Sequence, residues 1–234
     1  MQNPILAILI FLFAILISCD PPSEEEYYEK RELEEFSRLK LSGAFNVNIS
    51  QADQQSLTIE GSSELAEKLE VIQEGDLLEL KLRGQDRSSS RKNGLRISLT
   101  IVDLEELEFE GAGIIKTTHP LDLSDFQLIG KGVGNIELDL HAENVDAKLN
   151  FVGNMVLRGR ADVLRIQNEG LGNINASKLV AGNVDLNSSG IGNISLHCED
   201  ELSLQVNGIG KVSYTGQPTI IREEISGMAK VTRN

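Results

Sequence analysis

Short glycine motifs recur along the second half of the chain, and each could in isolation belong to a phosphate-binding loop. They read GVGNI from Gly132, GLGNI from Gly170, GIGNI from Gly190 and GIGKV from Gly208. A glycine-rich loop holds phosphate through its backbone N–H groups where a strand leads into a helix. No helical pattern follows these motifs, and a phosphate site is needed once. The repetition therefore favours a structural role over nucleotide chemistry.

Acidic and basic side chains on an outer groove are the groups with which β-helical lyases and glycosidases act. The candidates are Asp122, Asp139, Asp146, Asp162 and Asp185, with Lys148, Arg158, Arg160 and Arg165 nearby in sequence. A glycosidase pair requires two carboxyl groups about 5 to 9.5 Å apart. Asp139, Asp146 and Asp185 fall at outward parity in alternating runs, where solvation alone accounts for them. We expect no catalytic residues and no enzymatic activity; a carbohydrate-active β-helix enzyme is the distant alternative.

The histidines and cysteines form no metal-ligand or nucleophile pattern. His119, His141 and His197 fall in different repeats, without cysteine or acidic neighbours at metal-ligand spacing. Cys198 lies in the alternating run SLHCED, which favours a structural cysteine over a reactive one. We expect neither a metal nor any other cofactor.

The amino-acid composition limits the classes of partner that the chain is expected to bind. The 234 residues carry a net charge of -14, which argues against nucleic acid because phosphate backbones are bound mainly by Lys and Arg. Trp is absent and Gly occurs 21 times, which favours thin, regularly stacked layers over aromatic anchors.

Residues 1–18 predict a lipoprotein signal peptide. The apolar run over residues 5–17 contains 13 residues, fewer than the roughly 20 that a membrane-spanning helix needs. The sequence LISC, ending at Cys19, resembles a bacterial lipobox, which implies cleavage before Cys19 and a lipid on its thiol. The membrane is then the first predicted partner. Because MQNP contains no Lys or Arg, a plain secretory peptide or a short anchor is the alternative.

Residues 19–35 predict an acidic flexible tether. Residues 20–35 contain eight acidic and two basic side chains with two prolines, too little apolar surface for a core. A short helical stretch is compatible with residues 27–36. The sequence SEEE at residues 23–26 resembles the export signal of surface lipoproteins in Bacteroidetes-type bacteria. It implies an outer-membrane lipoprotein at the cell surface; the alternative is a merely solubilising tether.

A glycine motif repeated every 20 residues or so predicts a β-solenoid over residues 111–234. The second glycines are Gly113, Gly134, Gly153, Gly172, Gly192 and Gly210, with Ala229 at the seventh position. Their intervals are 21, 19, 19, 20, 18 and 19 residues. Alternating runs between them indicate strands with one buried face, two or three short strands to a coil.

The motif residues have structural roles in such a coil. We expect the glycines to adopt positive φ angles at a bend and the following Ile or Val to enter the core. The asparagines are expected to stack and hydrogen-bond as a ladder along the rod. They are Asn135, Asn154, Asn173 and Asn193. The alternative is a row of asparagine ligands for a sugar or a metal.

Residues 36–110 predict irregular N-terminal coils that cap the solenoid. Strand-like runs cover residues 45–51, 56–61, 77–84 and 95–102 at hairpin-like spacing. A serine followed by helical spacing predicts one short helix over residues 62–72.

The GxGN repeats, the run GAFNVNI from Gly43 and the lipoprotein N-terminus together resemble the family described as "putative auto-transporter adhesin, head GIN domain". The resemblance covers residues 36–234 and implies an all-β, right-handed parallel β-helix in bacterial envelope proteins. The family name implies adhesion and supplies no binding residues. We therefore predict a surface-exposed adhesion or binding module for a glycan, matrix or envelope protein. The alternative is a periplasmic structural or signalling-accessory lipoprotein.

Overall fold

The computed structural model describes residues 26–84 and 94–234. The predicted signal peptide, Cys19 and residues 23–25 of the export signal lie outside the described residues. Cleavage, lipidation and export therefore stay predictions. Within the described part of the chain, no helix is long and apolar enough to cross a membrane.

The described residues form one 15-stranded sheet that winds into about seven turns of about 19 residues each. The predicted all-β parallel solenoid is confirmed. A single helical turn, α1, covers Ser63–Ala66 in these residues. The strands are β1 (Glu26–Glu32), β2 (Arg38–Gln51), β3 (Ser56–Ser62), β4 (Leu69–Glu74), β5 (Leu77–Leu82), β6 (Arg96–Ile101), β7 (Glu106–Thr117), β8 (Leu121–Gly130), β9 (Val133–Leu149), β10 (Val152–Asn168), β11 (Leu171–Ser188), β12 (Ile191–Val206), β13 (Ile209–Thr215), β14 (Thr219–Ile225) and β15 (Met228–Arg233).

Strands β9 to β12 are consecutive coils that pair in parallel. Each contains 16 to 18 residues of continuous strand. The prediction of two or three short strands per coil was wrong, because the ladder to the neighbouring coils continues through the bends.

Side chains alternate between core and solvent along each coil, as strand geometry requires. One inward column stacks Ile136, Met155, Ile174 and Ile194. Each of these is at most 7% exposed, which is the core position that the motif predicted. Burial of such columns stabilises the solenoid by about 25 cal/mol per Å² of apolar surface.

Strands out of chain order cap the N-terminal end. Strand β2 lies between β7 on one side and a coil formed by β5 and β6 on the other, all in parallel pairing. Strand β3 pairs antiparallel with β6, β1 with β3, and β4 with β5. These antiparallel strands cover the first coil and protect its edge.

The boundary predicted between tether and domain needs correction. Glu26–Glu32 forms strand β1, which pairs along its whole length with β3. Tyr27 packs partly buried against the core, so a strand forms where a short helix was compatible with the sequence. The folded domain therefore includes Glu26–Glu32 and does not begin at residue 36.

The helix expected over residues 62–72 is only four residues long. Helix α1 ends at Ala66, and strand β4 begins at Leu69. Ser62 occupies the N-cap position without a side-chain capping bond. Pairing with β5 places Leu69 and Val71 against the core, so tertiary contacts override the helical spacing.

The last coil consists of β14 and β15, which pair with β12 and β13. All seven residues of β14 are exposed. Glu223 stands in register with the buried Leu204, at the end of an otherwise aliphatic column. The earlier members of this column are Leu128, Ala147, Ile166 and Leu186.

Candidate functional site

The second glycines of the motifs form one row along the solenoid. Their φ angles lie between 135° and 150° for Gly113, Gly134, Gly153, Gly172, Gly192 and Gly210. A Cβ atom on Gly134 would overlap the carbonyl oxygen of Gly113 in the neighbouring coil. Only glycine combines this dihedral angle with so close an approach. Ala229 aligns with Gly210 in the last coil, and no non-glycine residue of the described chain has a positive φ.

The asparagines of the motifs form a second row on the outer surface. Nδ2 of Asn154 donates to Oδ1 of Asn135 at 3.2 Å. Asn173 donates in the same way to Asn154, and Asn193 to Asn173, both at 3.0 Å. The structure thus brings the four asparagines into one hydrogen-bonded row, which we call the asparagine row.

The residues immediately before the second-glycine position form a third row; Ala112 occupies it in strand β7, and from Val133 onward every member is a large aliphatic side chain. We call it the apolar row: Val133 (54% exposed), Val152 (42%), Leu171 (48%), Ile191 (48%), Ile209 (43%) and Met228 (72%). Consecutive members pair across adjacent coils. At about 4.8 Å per coil, the row is about 24 Å long.

The apolar row and the asparagine row lie side by side on one surface, because their residues are two positions apart in each strand. Lys211 and Lys230 continue the asparagine row over the last two coils. We call these two rows, with the two lysines, the GxGN face. It contains no carboxylate, although the chain has 36 acidic residues. Contiguous apolar surface of this kind commonly marks a binding surface.

Sequence reasoning found the asparagine row and missed the apolar row. The signal was nevertheless present in each motif. Val133 lies three positions before the buried Ile136, so its side chain has the opposite parity and points to solvent. An aliphatic residue at that outward position in every regular coil is the pattern that identifies the face.

Three of the carboxylates considered for catalysis lie in outward columns next to an arginine of the adjacent coil. Asp146 accepts a hydrogen bond from Nη1 of Arg165 at 3.3 Å, and Asp185 is in register with the same arginine. Asp139 is in register with Arg158. Arginine in the adjacent coil accounts for Asp139, Asp146 and Asp185 as cross-coil charge partners.

A shallow cleft of about 510 Å³ brings together Asp122, Ser124 and His141, which the sequence did not associate. Nδ1 of His141 lies 3.0 Å from Oδ1 of Asp122. These are the residue types of a Ser–His–Asp triad, in which a buried carboxylate orients the imidazole. The Asp122 and His141 side chains are 82% and 54% exposed, so water competes for both. Among the described residues no hydrogen bond joins Ser124 to His141, and we assign the cleft no catalytic role.

Cys198 is buried, as the alternation around it indicated. Its sulfur lies 3.3 Å from the carbonyl oxygen of Gly182 and 3.1 Å from that of Glu201, and the single S–H donates to one or the other. Burial raises the pKa of Cys198 to about 11, which keeps the thiol protonated near neutral pH. Across residues 26–84 and 94–234, no group of His, Cys, Asp and Glu side chains could hold a metal ion.

The family profile described as "Putative auto-transporter adhesin, head GIN domain" matches residues 35–218. This range includes the glycine row from Gly113 to Gly210 and the entire asparagine row. No curated protein matches the chain in sequence.

Solved structures share the fold. A "putative adhesin" from Bacteroides fragilis is 24% identical, with a TM-score of 0.85 over 91% of this chain and 99% of that one. A "putative lipid binding protein" from Parabacteroides distasonis is 18% identical, with a TM-score of 0.68 over 90% and 97%. A "putative adhesin" from Parabacteroides merdae is 16% identical, with a TM-score of 0.60 over 90% and 96%. At these identities the likeness establishes the fold alone.

Proposed function

We propose, because the chain belongs to the auto-transporter adhesin, head GIN domain family, that it is a lipid-anchored, non-catalytic binding module at the outer surface of a bacterial cell. The GxGN face is its binding surface. The observation that supports this assignment is the apolar row, six aliphatic side chains that are 42% to 72% exposed on a chain with a net charge of -14.

Exposure of this row lowers solubility and adds nothing to the core, since an aliphatic side chain gains about 25 cal/mol per Å² only when it leaves water. The same outward position could hold Thr, Lys or Glu without disturbing the buried column behind it. A partner that covers the row recovers the lost free energy. Because the face contains no carboxylate, a partner that binds there avoids direct contact with the negative charge that the rest of the chain carries.

The anchor of this module is the lipid on Cys19. Strand β1 begins at Glu26, seven residues after Cys19, so the anchor lies within about 25 Å of the start of β1. The lipid therefore attaches beside the N-terminal cap, and the GxGN face, which begins at Val133 in strand β9, lies further along the solenoid. This arrangement presents the face away from the anchor.

Protease treatment of intact cells tests the location, with lysed cells as the control. Cleavage on intact cells supports surface exposure. Protection until lysis would contradict it and favour a periplasmic structural or signalling-accessory role. A Cys19→Ser variant should leave the membrane fraction, and retention in that fraction would refute the lipid anchor.

Binding of the purified chain to glycan and matrix arrays tests the face. The variant Leu171→Lys places a charge in the middle of the apolar row, and Asn187→Lys places the same charge on another face of the same strand. Asn187 is exposed, so both variants should fold. We expect binding to be lost only in Leu171→Lys; equal binding by both variants would exclude the GxGN face.

A further inference from the structure

We infer that the partner covering the GxGN face is a second copy of the same chain, packed antiparallel about a two-fold axis between Leu171 and Ile191. This inference rests on the proposed function, in that it takes the GxGN face to be the binding surface. It is carried by the order of side-chain sizes along the apolar row and by the charges beside it.

The apolar row begins with two valines and continues with four larger side chains of nearly equal volume. It reads Val, Val, Leu, Ile, Ile, Met from Val133 to Met228. An antiparallel copy sets a small side chain opposite a larger one at each end and two of the larger ones at the centre. The facing pairs are Val133 with Met228, Val152 with Ile209, and Leu171 with Ile191. The two valines of each copy then face larger side chains, so the spacing between the two solenoids varies less along the row than if valine faced valine, as close packing favours.

A parallel copy would instead place Val133 against Val133 and Met228 against Met228. The two solenoids would be close together at one end and held apart at the other. Gaps between the facing valines would lose dispersion contacts at the end of the row with the small side chains. The size order therefore selects the antiparallel arrangement.

The columns on either side of the apolar row permit this approach. A two-fold axis perpendicular to the rows places each flanking column opposite the same column of the second molecule. On one side the facing pairs are Asn135 with Lys230, Asn154 with Lys211, and Asn173 with Asn193. The column on the other side consists of the residues two positions before each member of the apolar row. Its facing pairs are Lys131 with Ser226, Asn150 with Asn207, and Glu169 with Ser189. No pair opposes two like charges, although each chain carries a net charge of -14.

The buried area suits a reversible dimer. A surface about 30 Å long and 20 Å wide buries on the order of 600 Å² per copy. The total of about 1,200 Å² lies at the lower end of specific interfaces. Because the contact is apolar and the chains repel each other, the dimer should strengthen as salt rises and screens the repulsion.

The arrangement has a functional consequence. Antiparallel solenoids place their N-terminal caps, and hence their lipid anchors, at opposite ends of the dimer. Two molecules on facing membranes satisfy this geometry, so the contact would join one cell to another. The family's adhesion would then be homophilic.

Analytical ultracentrifugation of the chain from Asp20 onward, which contains every described residue, tests the dimer. We expect a reversible monomer–dimer equilibrium that shifts toward dimer with salt. Leu171→Lys should weaken association at least tenfold, whereas Asn187→Lys should not change it. A monomer at every concentration would overturn the inference. So would a monomer whose Leu171 side chain is needed for binding phosphatidylethanolamine vesicles, because the occupant would then be lipid.

Disulfide trapping tests the direction of packing. Val133→Cys and Met228→Cys chains should cross-link when mixed and oxidised, and neither should cross-link alone, because the like ends lie about 24 Å apart. Buried Cys198 stays out of the reaction, and the unsubstituted chain is the control. Cross-linking of Val133→Cys with itself would establish parallel packing and overturn the arrangement.

Cell aggregation separates this inference from the proposed function. Cells expressing the natural chain should aggregate, and cells expressing Leu171→Lys should not. A dimer in solution without surface exposure would refute the proposed location and leave the dimer standing. Surface exposure and glycan binding by a strict monomer would refute the dimer and leave the proposed function standing.

Discussion

A Cβ atom on Gly192 would overlap the carbonyl oxygen of Gly172 in the neighbouring coil. The φ angle of Gly192 is 144°, which an L-residue with a side chain rarely adopts. Two independent constraints, one on the dihedral angle and one on the space between coils, therefore act on the same residue. This relationship repeats along the glycine row and explains why the motif recurs once per turn.

Replacement of Gly192 by alanine should lower the free energy of unfolding by about 3 kcal/mol or more. The added methyl group must either displace Gly172 or change the backbone at the bend. Urea unfolding of the chain from Asp20 onward measures the effect.

The matched control is Gly75→Asn. Gly75 has a φ angle of 57° and open space around its Cβ position, and asparagine tolerates that conformation. Its free energy of unfolding should change by about 0.5 kcal/mol or less. Equal losses in the two variants would show that the coil spacing does not constrain Gly192.

The asparagine row predicts a difference between its members. Asn173 donates one side-chain hydrogen bond and accepts another, whereas Asn193 only donates within the row. At about 1 kcal/mol per bond, Asn173→Ala should cost about 2 kcal/mol and Asn193→Ala about half of that. Thermal unfolding measures both, and identical losses would indicate that the amides are satisfied by water alone.

Cys198 should be unreactive in the folded chain. With its pKa raised to about 11, the thiolate fraction at pH 8 is on the order of 0.1%, and burial blocks the approach of a reagent. In the chain from Asp20 onward it is the only cysteine. Ellman's reagent should therefore report one thiol per chain after unfolding and almost none before. A rapid reaction at pH 8 in the folded state would contradict the buried position.

Acid should weaken the ion pair between Arg38 and Asp76. The guanidinium donates from Nε and Nη2 to the two carboxylate oxygens, both at 2.9 Å. It holds the pKa of Asp76 below its ordinary value. A depressed folded-state pKa means that the stabilisation is present above the unfolded-state pKa and is lost as pH falls through the folded-state pKa.

The variant Asp76→Asn isolates this contribution. It should be slightly less stable than the natural chain at pH 7, and the difference should vanish toward pH 2. The effect is small because both side chains are largely solvent-exposed. Urea unfolding at a series of pH values measures it, and a difference that grows in acid would reverse the assigned sign.

The regular coils could be predicted because the residues that determine each coil lie close together in the sequence. Each motif specifies its own bend through Gly134 and its counterparts, and its own core residue through Ile136 and its counterparts. Stacking then follows from the repeat. The asparagine row was predictable for the same reason, since Asn154 and Asn173 occupy the same phase of the period.

The N-terminal cap could not be predicted in the same way, because its pairings are distant in sequence. Strand β1 consists mainly of charged and tyrosine residues and becomes a strand only against β3, about 30 residues later. Leu65, Leu69 and Ile72 have helical spacing, but Leu69 and Ile72 belong to strand β4 because that segment pairs with β5. The apolar row was missed for another reason: each member is unremarkable alone, and only their common parity shows them to be a surface.

Glu223 disfavours the addition of another strand onto β14. The last coil of a solenoid is a template on which another molecule's strand could add, as in the elongation of an amyloid fibril. Such an addition would enclose the Glu223 carboxylate between Leu204 and the newcomer's side chains, at a cost of at least several kcal/mol. One charged residue in an otherwise aliphatic column therefore opposes the fibre-like stacking of solenoids on strand β14.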